Sequence, residues 1–220
     1  MISIAIDGPA GAGKSTISRK ASEHLGFIYV DTGALYRSIA YTLNSSGITT
    51  DEVEKIEKTL DETLINIKFI DGEQHVTVND LDVTDKIRTP EISMLASAFS
   101  AIPCVRAYLL GIQRRMAKEN NVIMDGRDIG TVVLPDATLK IFLTADPEER
   151  AQRRYDEMIA KGQEANYDEV LADIKKRDYN DSHRAVAPLK PAEDSVVVNT
   201  TGNTLEQSVE LLLNVIKENI

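Results

Sequence analysis

The chain has 220 residues, a hydrophobic fraction of 42% and a formal charge of −10, enough for one domain, or one domain with an insertion, around a sizeable core. The acidic balance argues against a general binder of nucleic acid or anionic membrane, and no apolar run is long enough to span a bilayer. A single cysteine, Cys104, excludes an internal disulfide and a Cys-rich metal site. Met1-Ile2-Ser3-Ile4 lacks the basic region of a signal peptide and enters a strand at once. A cytoplasmic protein is expected, with Cys104 acting as a small buried hydrophobe.

The apolar run 2–7 predicts a strand and 14–25 a helix; between them, residues 8 to 15 read Gly-Pro-Ala-Gly-Ala-Gly-Lys-Ser. This fits the phosphate-binding pattern G-x-x-x-x-G-K-[ST] in the strand–turn–helix setting that the pattern needs. Glycines without Cβ let backbone N–H groups close around phosphate oxygens, and the helix N-terminus adds partial positive charge. Lys14 can reach β- and γ-phosphates, and the Ser15 hydroxyl can ligate Mg²⁺.

A second strand at 26–30 leads into Asp31-Thr32-Gly33-Ala34-Leu35-Tyr36-Arg37 and a helix over 33–45. Thr32 and Arg37 stand where open α/β sheets bind ligands, beyond a strand's carboxyl end. They either meet a second anion or form a capped helix start with a surface arginine. Residues 62–84 break the α/β alternation. Leu64, Ile67 and Phe69 precede Asp71-Gly72, a hairpin signal; Val76 and Val78 alternate after it, and Asn79-Asp80 turns again. A small antiparallel meander inserted into the frame is expected. Helices at 90–100 and 103–119 follow.

The strand 121–125 ends in Asp125-Gly126-Arg127-Asp128. Asp125 is a candidate acid for a magnesium region, Arg127 an anion clamp, and Asp128 an acceptor for an exocyclic amine, unless Arg127 and Asp128 pair with each other. After the strand 138–143, Asp146-Pro147-Glu148-Glu149 opens a helix over 147–161. Arg150 shares a face with Arg153 or Arg154. Such guanidinium groups suit a transferred phosphoryl group, or they pair with Glu148, Glu149 and Asp156. Lys161-Gly162-Gln163-Glu164 is a polar break where a hinge can sit. In the helix 167–182, Arg177, Asp181 and Arg184 fall at i, i+4 and i+7, one face if the helix persists. Asp181 can then meet sugar hydroxyls and Arg184 a phosphate. A strand at 194–199 and a helix at 204–218 close an α/β fold around a parallel sheet. Nine of the twelve arginines lie between Arg106 and Arg184, a local anion site in an acidic chain, although Arg114 and Arg115 read as solvated faces. His24, His75 and His183 lack ligand spacing, and Tyr36, Tyr155 and Tyr179 read as packing groups.

These motifs, together with Asp-Gly-Arg-Asp-Ile-Gly-Thr-Val-Val-Leu-Pro-Asp-Ala and His-Arg-Ala-Val-Ala-Pro-Leu, closely resemble the bacterial cytidylate kinases over essentially the whole chain. The resemblance implies a nucleoside monophosphate kinase fold: a five-stranded parallel sheet with helices on both faces, formed by 1–60, 90–147 and 180–220 within a single domain, 1–220. It implies an antiparallel monophosphate-binding insertion at about 61–89 and a helical lid at about 148–165. The implied activity is transfer of the ATP γ-phosphoryl group to CMP or dCMP with Mg²⁺, by a monomer without nucleic-acid or membrane partners. Carried over by position, Gly8, Pro9, Ala10, Gly11, Ala12, Gly13, Lys14, Ser15 and Thr16 would hold ATP. Ser97, Arg106 and Asp128 would face cytosine, while Arg37, Arg127 and Arg184 would hold the acceptor phosphate with Thr32 nearby. Asp181 would bind ribose, with Arg177 beside it. Lys14, Arg127, Arg150, Arg154 and Arg184 would act on the transferred group, Arg150 and Arg154 from the lid. Ser15 and, indirectly, Asp125 would serve the metal. Thr32 stands where relatives often carry Ser, and Ser15 where some carry Gly or Thr; both positions keep or supply a hydroxyl.

Elementary chemistry agrees. A monophosphate has its second pKa at about 6 and is mostly ionised at neutral pH, so its transfer needs no general base, only alignment and charge neutralisation. An alcohol acceptor would call for a carboxylate base such as Asp31 or Asp125, the shikimate-kinase-like alternative. A GTP-dependent switch would need an Asn-Lys-x-Asp loop, which the sequence lacks; a nucleotide-binding regulatory module is the remaining class. For the base, Asp128 can accept from the cytosine N4 amine and Arg106 can donate to N3 or O2. Uracil would set O4 against a carboxylate and N3–H against a guanidinium.

Overall fold

Ile4, Ile6, Ile123, Ile141 and Leu143 are at most 1% exposed. Their strands read as nearly continuous apolar runs because parallel strands are covered on both faces. The computed structural model describes residues 1–70 and 73–220. In chain order it contains β1 (Ser3–Asp7), α1 (Lys14–Leu25), β2 (Ile28–Asp31), α2 (Thr32–Ser45), α3 (Val53–Asp61), β3 (Ile65–Ile70), β4 (Glu73–Val78) and β5 (Leu81–Asp82). There follow α4 (Pro90–Phe99), α5 (Pro103–Glu119), β6 (Val122–Gly126), a π-helical turn (Ile129–Val133), β7 (Leu139–Thr144), α6 (Pro147–Ala160), α7 (Tyr167–His183), β8 (Val196–Asn199) and α8 (Leu205–Asn219).

Five strands form one parallel sheet in the order β2-β6-β1-β7-β8. β1 lies at its centre, with Ile6 opposite Asp125 and Asp7 opposite Gly126. The loop after β1 and the acids ending β6 therefore emerge side by side. The chain divides into two compact units, Met1–Tyr29 with Asn120–Ile220, and Val30–Glu119. In the first, Ile17 and Ala21 of α1 and Val209, Leu212 and Ile216 of α8 pack in one cluster with the sheet strands. Thr204 caps α8 through a reciprocal capping box with Gln207.

The second unit is wider than the 61–89 insertion expected from sequence, because the meander has no core of its own. Ile65, Val76 and Val78 bury themselves among Leu35, Ile39 and Leu43 of α2, Ile56 and Leu60 of α3, Phe99 of α4 and Leu109 of α5. The antiparallel order β3-β4-β5 is as expected, and Asn79-Asp80 makes the second turn with both residues at positive φ. Asp71-Gly72 lies outside the described residues. Two details differ from expectation. The inward face of β3 begins at Ile65, while Leu64 precedes the strand and is exposed. The helix α3 went unforeseen because only Ile56 and Leu60 anchor an otherwise charged segment. Among the described residues no single helix is long and apolar enough to cross a membrane.

Candidate active site

The loop between β1 and α1 is held open by steric necessity. A Cβ on Gly8 would sit 1.9 Å from the Leu143 carbonyl oxygen of β7, and Gly8 has φ +153°; only glycine lets β1 turn there. Gly13, the N-cap of α1, adopts the left-handed conformation with φ 80°, so the helix starts without a side-chain cap among the described residues. Its first-turn N–H groups are available to an anion. Lys14 is buried and donates its Nζ to the Pro9 carbonyl at 2.7 Å. Burial first, and the neighbouring Arg127 next, lower its pKa to about 7, against the pull of Asp125, Asp7 and Asp181.

Ser15 donates its hydroxyl to Asp125 Oδ2 at 2.9 Å, and Tyr29 donates its phenol to Asp125 Oδ1 at 3.0 Å. The guanidinium of Arg19 lies 5.8 Å over the Tyr29 ring. A hydroxyl beside a carboxylate is the hard-oxygen donor set that suits Mg²⁺. Among the described residues no group of three or more His, Cys, Asp or Glu is placed to hold a metal ion. Tyr29 was missed because it sits inside an apolar strand, where only its hydroxyl distinguishes it from a packing residue.

The arginines are paired: Arg153 as its helical spacing suggested, but Arg127, Arg150 and Arg184 with partners distant in sequence. Arg127 and Asp128 do not pair with each other: Arg127 donates Nε to Asp181 at 2.8 Å, and Asp128 accepts from Arg184 at 3.1 Å. The helix α7 ends at His183, so Arg184 is not on its face. Arg184 instead bends into extended backbone and donates Nε to the Ala187 carbonyl at 2.6 Å. Arg150 is 3% exposed. It binds the Ala10 carbonyl of the loop at 2.9 Å, the Ala145 carbonyl at 2.8 Å, and Asp178 through both oxygens at 3.1 and 2.6 Å. Arg150 uses none of the expected partners Glu148, Glu149 or Asp156; Asp178 lies 28 residues away, beyond the reach of helical spacing. Arg153 pairs with Glu149, and Arg154 stands exposed, 3.6 Å from Glu157. Arg177 is exposed on α7. Tyr179, read as a packing group, packs against His183 in a stacked pair and is 63% exposed.

The second unit holds the remaining candidates. Asp31 caps α2 by accepting the Ala34 N–H, pairs with Arg37 at 2.9 Å, and is fixed by Gln74, which binds its backbone N–H and carbonyl. The capped helix start is thus real, and Arg37 is tied to its cap. Thr32 is buried. Arg106 is buried too; it donates to the Ser100 carbonyl at 3.3 Å and lies 5.8 Å over the Tyr36 ring. Ser97 is half-buried, and its carbonyl accepts from Ser100.

A central parallel strand running into this glycine loop, a buried lysine, a serine of the following helix bonded to an aspartate of the neighbouring strand, and the buried Arg150 on the loop together define a P-loop kinase. Residues 4–218 match the family model described as cytidylate kinase. A protein named cytidylate kinase from Caldicellulosiruptor saccharolyticus is 54% identical over 96% of this chain and 94% of its own. One from Carboxydothermus hydrogenoformans is 47% identical over 97% and 96%. The chain belongs to the cytidylate kinase family. A crystal structure of an uncharacterized protein from Eubacterium ventriosum covers 99% of this chain and 98% of its own with a TM-score of 0.55 at 14% identity, a likeness of fold alone.

Proposed function

We propose that this enzyme transfers the γ-phosphoryl group of ATP to CMP or dCMP, giving ADP and the nucleoside diphosphate. The observation that carries this reading is the family match across residues 4–218; it disfavours the shikimate-kinase-like and regulatory alternatives. Gly8 to Thr16 take the ATP phosphates through backbone N–H groups and Lys14, whose buried ammonium gains its counter-charge from the anion. Ser15 and Asp125 fit a magnesium ion, which when bound offsets phosphate charge. Asp125 serves there as a carboxylate already oriented by Tyr29.

The acceptor needs no base because its phosphate is ionised at neutral pH, with a second pKa of about 6. Catalysis is then positioning and charge neutralisation. Arg127 and Arg184 are the acceptor-phosphate cations of the first unit, while Asp181 binds ribose with Arg177 near it. Asp128 accepts from the cytosine amine. Thr32, Arg37, Ser97 and Arg106 are the acceptor residues carried by the second unit. Within the lid at about 148–165, Arg154 is the arginine left exposed for the transferred group, and Arg150 braces the phosphate loop. The break between α6 and α7 contains Gly162 at φ +70°, a natural hinge. We place this enzyme in the cytoplasm as a monomer.

An ADP-release assay with Mg-ATP and CMP, dCMP, UMP, AMP or shikimate tests the reading. Turnover confined to CMP and dCMP is expected. Turnover of shikimate, or of none of these, overturns the acceptor assignment and leaves the P-loop intact. Comparable turnover of UMP and CMP overturns the base-reading roles of Asp128 and Arg106.

A further inference from the structure

Asp7 ends β1 one residue before the glycine that opens the phosphate loop. Its two carboxylate oxygens accept the N–H groups of Ile129 and Gly130, each at 2.7 Å. Those donors open the π-helical turn Ile129–Val133, whose N-cap is Asp128. The turn closes on the Asp128 carbonyl through Val132 and Val133 at 2.9 and 3.1 Å. An Asp at an N-cap normally satisfies the first N–H groups with its own carboxylate. Here Asp128 makes no such bond; its oxygen accepts from Arg184 instead. The capping task has passed to Asp7, 122 residues from Ile129 in sequence, and Asp128 is aimed elsewhere. The fit is close on the far side as well. A Cβ on Gly130 would lie 3.4 Å from Asp7 Oδ2 and 3.3 Å from the Lys140 stem, whose Nζ is held by Asp194.

We propose that Asp7 is a positioning residue for base selection: by capping the π turn in place of Asp128, it sets where the Asp128 carboxylate stands to meet the acceptor's base. The inference rests on the reading of Asp128 as the residue that accepts from cytosine. A carboxylate is the group that can do this, since both oxygens accept. An amide in its place sets an NH₂ donor against one of the two N–H donors.

The test is a cycle of parent, Asp7→Asn, Asp128→Ala and the double variant, with kcat and KM measured for CMP, UMP and ATP. Asp7→Asn is expected to lower the CMP-over-UMP preference about tenfold, by raising KM for CMP, with KM for ATP within about twofold of the parent. In the Asp128→Ala background the same change is expected to remove no further preference, because it acts through a residue already gone. Gly130→Ala presses on the same turn with the carboxylate intact; it is expected to erode the preference in the same direction, and it decides the matter if Asp7→Asn does not fold. An unchanged preference in Asp7→Asn beside a collapsed one in Asp128→Ala overturns the inference. So do additive losses in the double variant, or a rise in KM for ATP as large as that for CMP, which would assign Asp7 to the phosphate loop. If Asp128→Ala keeps the parent's preference, the base-reading assignment itself is overturned, and the inference falls with it.

Discussion

Under the proposed function, the phosphate loop would meet its anion with backbone dipoles around Gly8 and Gly13, whereas α6, α7 and the turn after β6 would meet theirs with guanidinium groups, each already holding a carboxylate. Arg150 holds Asp178, Arg127 holds Asp181 and Arg184 holds Asp128. The difference follows from the cost of burial. A partly exposed N–H can turn to water, whereas a half-buried guanidinium without a counter-charge is costly. A backbone site is therefore complete by geometry alone. A side-chain site has to be charge-balanced before its ligand arrives, and an incoming phosphate takes over a role that a carboxylate was filling.

The largest expected effect breaks the backbone half. Gly8→Ala puts a methyl group 1.9 Å from the Leu143 oxygen, so β1 or β7 must shift. A displacement of that order at the loop is expected to cost at least ~100-fold in kcat/KM for ATP. A parent-like value in the ADP-release assay would mean that the loop can re-form around a side chain. On the side-chain half the comparison is Arg150→Met against Arg154→Met. The first strands Asp178 and leaves the Ala10 and Ala145 carbonyls short of a donor, and is expected to cost about 3 kcal/mol of stability. The second removes an exposed pair and is expected to stay within about 0.5 kcal/mol, with its effect on kcat instead. Urea unfolding of both variants separates a brace from a phosphate ligand; equal stability losses would erase the distinction.

Asp7 sharpens the same contrast, because it is a buried charge held by backbone donors. Burial lifts its carboxyl from 3.8 to about 6; the N–H groups of Gly130 and Ile129 and the charge of Lys14 pull it down, while Asp128 pushes it up. Below 3.8 the group is protonated in folded and unfolded chains alike, and between 3.8 and about 6 the folded chain alone favours the proton. Its contribution to stability is therefore full at low pH and lost as pH rises through about 6. Asp7→Asn cannot titrate, so between pH 5 and pH 8 the variant is expected to gain about 1 kcal/mol on its parent. Urea midpoints of the two proteins at both pH values check this. A gap that stays constant or moves the other way would show that Asp7 is ionised without penalty.

The same contrast explains what could be read from the sequence. The helix α1 runs from Lys14 to Leu25, as its residues predict, because the loop and helix are set by neighbours along the chain. The order β2-β6-β1-β7-β8 is set by tertiary packing, but the five strands and the meander also follow from local periodicity and turn chemistry. The partners of the arginines do not. Asp178 and Arg150 are brought together by two helices and the break between them, and Asp181 reaches Arg127 across 54 residues. Spacing within one segment could only suggest Glu149 or Asp128. The end of α7 at His183 is invisible for a related reason: Arg184 leaves the helix to reach Asp128, a tertiary contact that overrides the periodic pattern.

The smallest expected effect belongs to Tyr29, where the two modes meet. Its ring is packed in β2 and 5% exposed, while its hydroxyl orients Asp125 for the Ser15 side of the loop. Tyr29→Phe keeps the ring, its place under Arg19 and nearly all the buried area, and deletes one hydrogen bond to a carboxylate. Such a bond is worth about 1.5–3 kcal/mol. The carboxylate stays but is less firmly aimed, so the loss should appear as a weaker hold on the metal and not as lost turnover. A rise of about threefold to tenfold in the Mg²⁺ concentration needed for half-maximal rate is expected, with kcat at saturating Mg²⁺ near that of the parent. Mn²⁺ binding to the enzyme–ATP complex, followed by electron paramagnetic resonance, should weaken in step. If kcat falls while the metal requirement is unchanged, Asp125 is acting on something other than the cation.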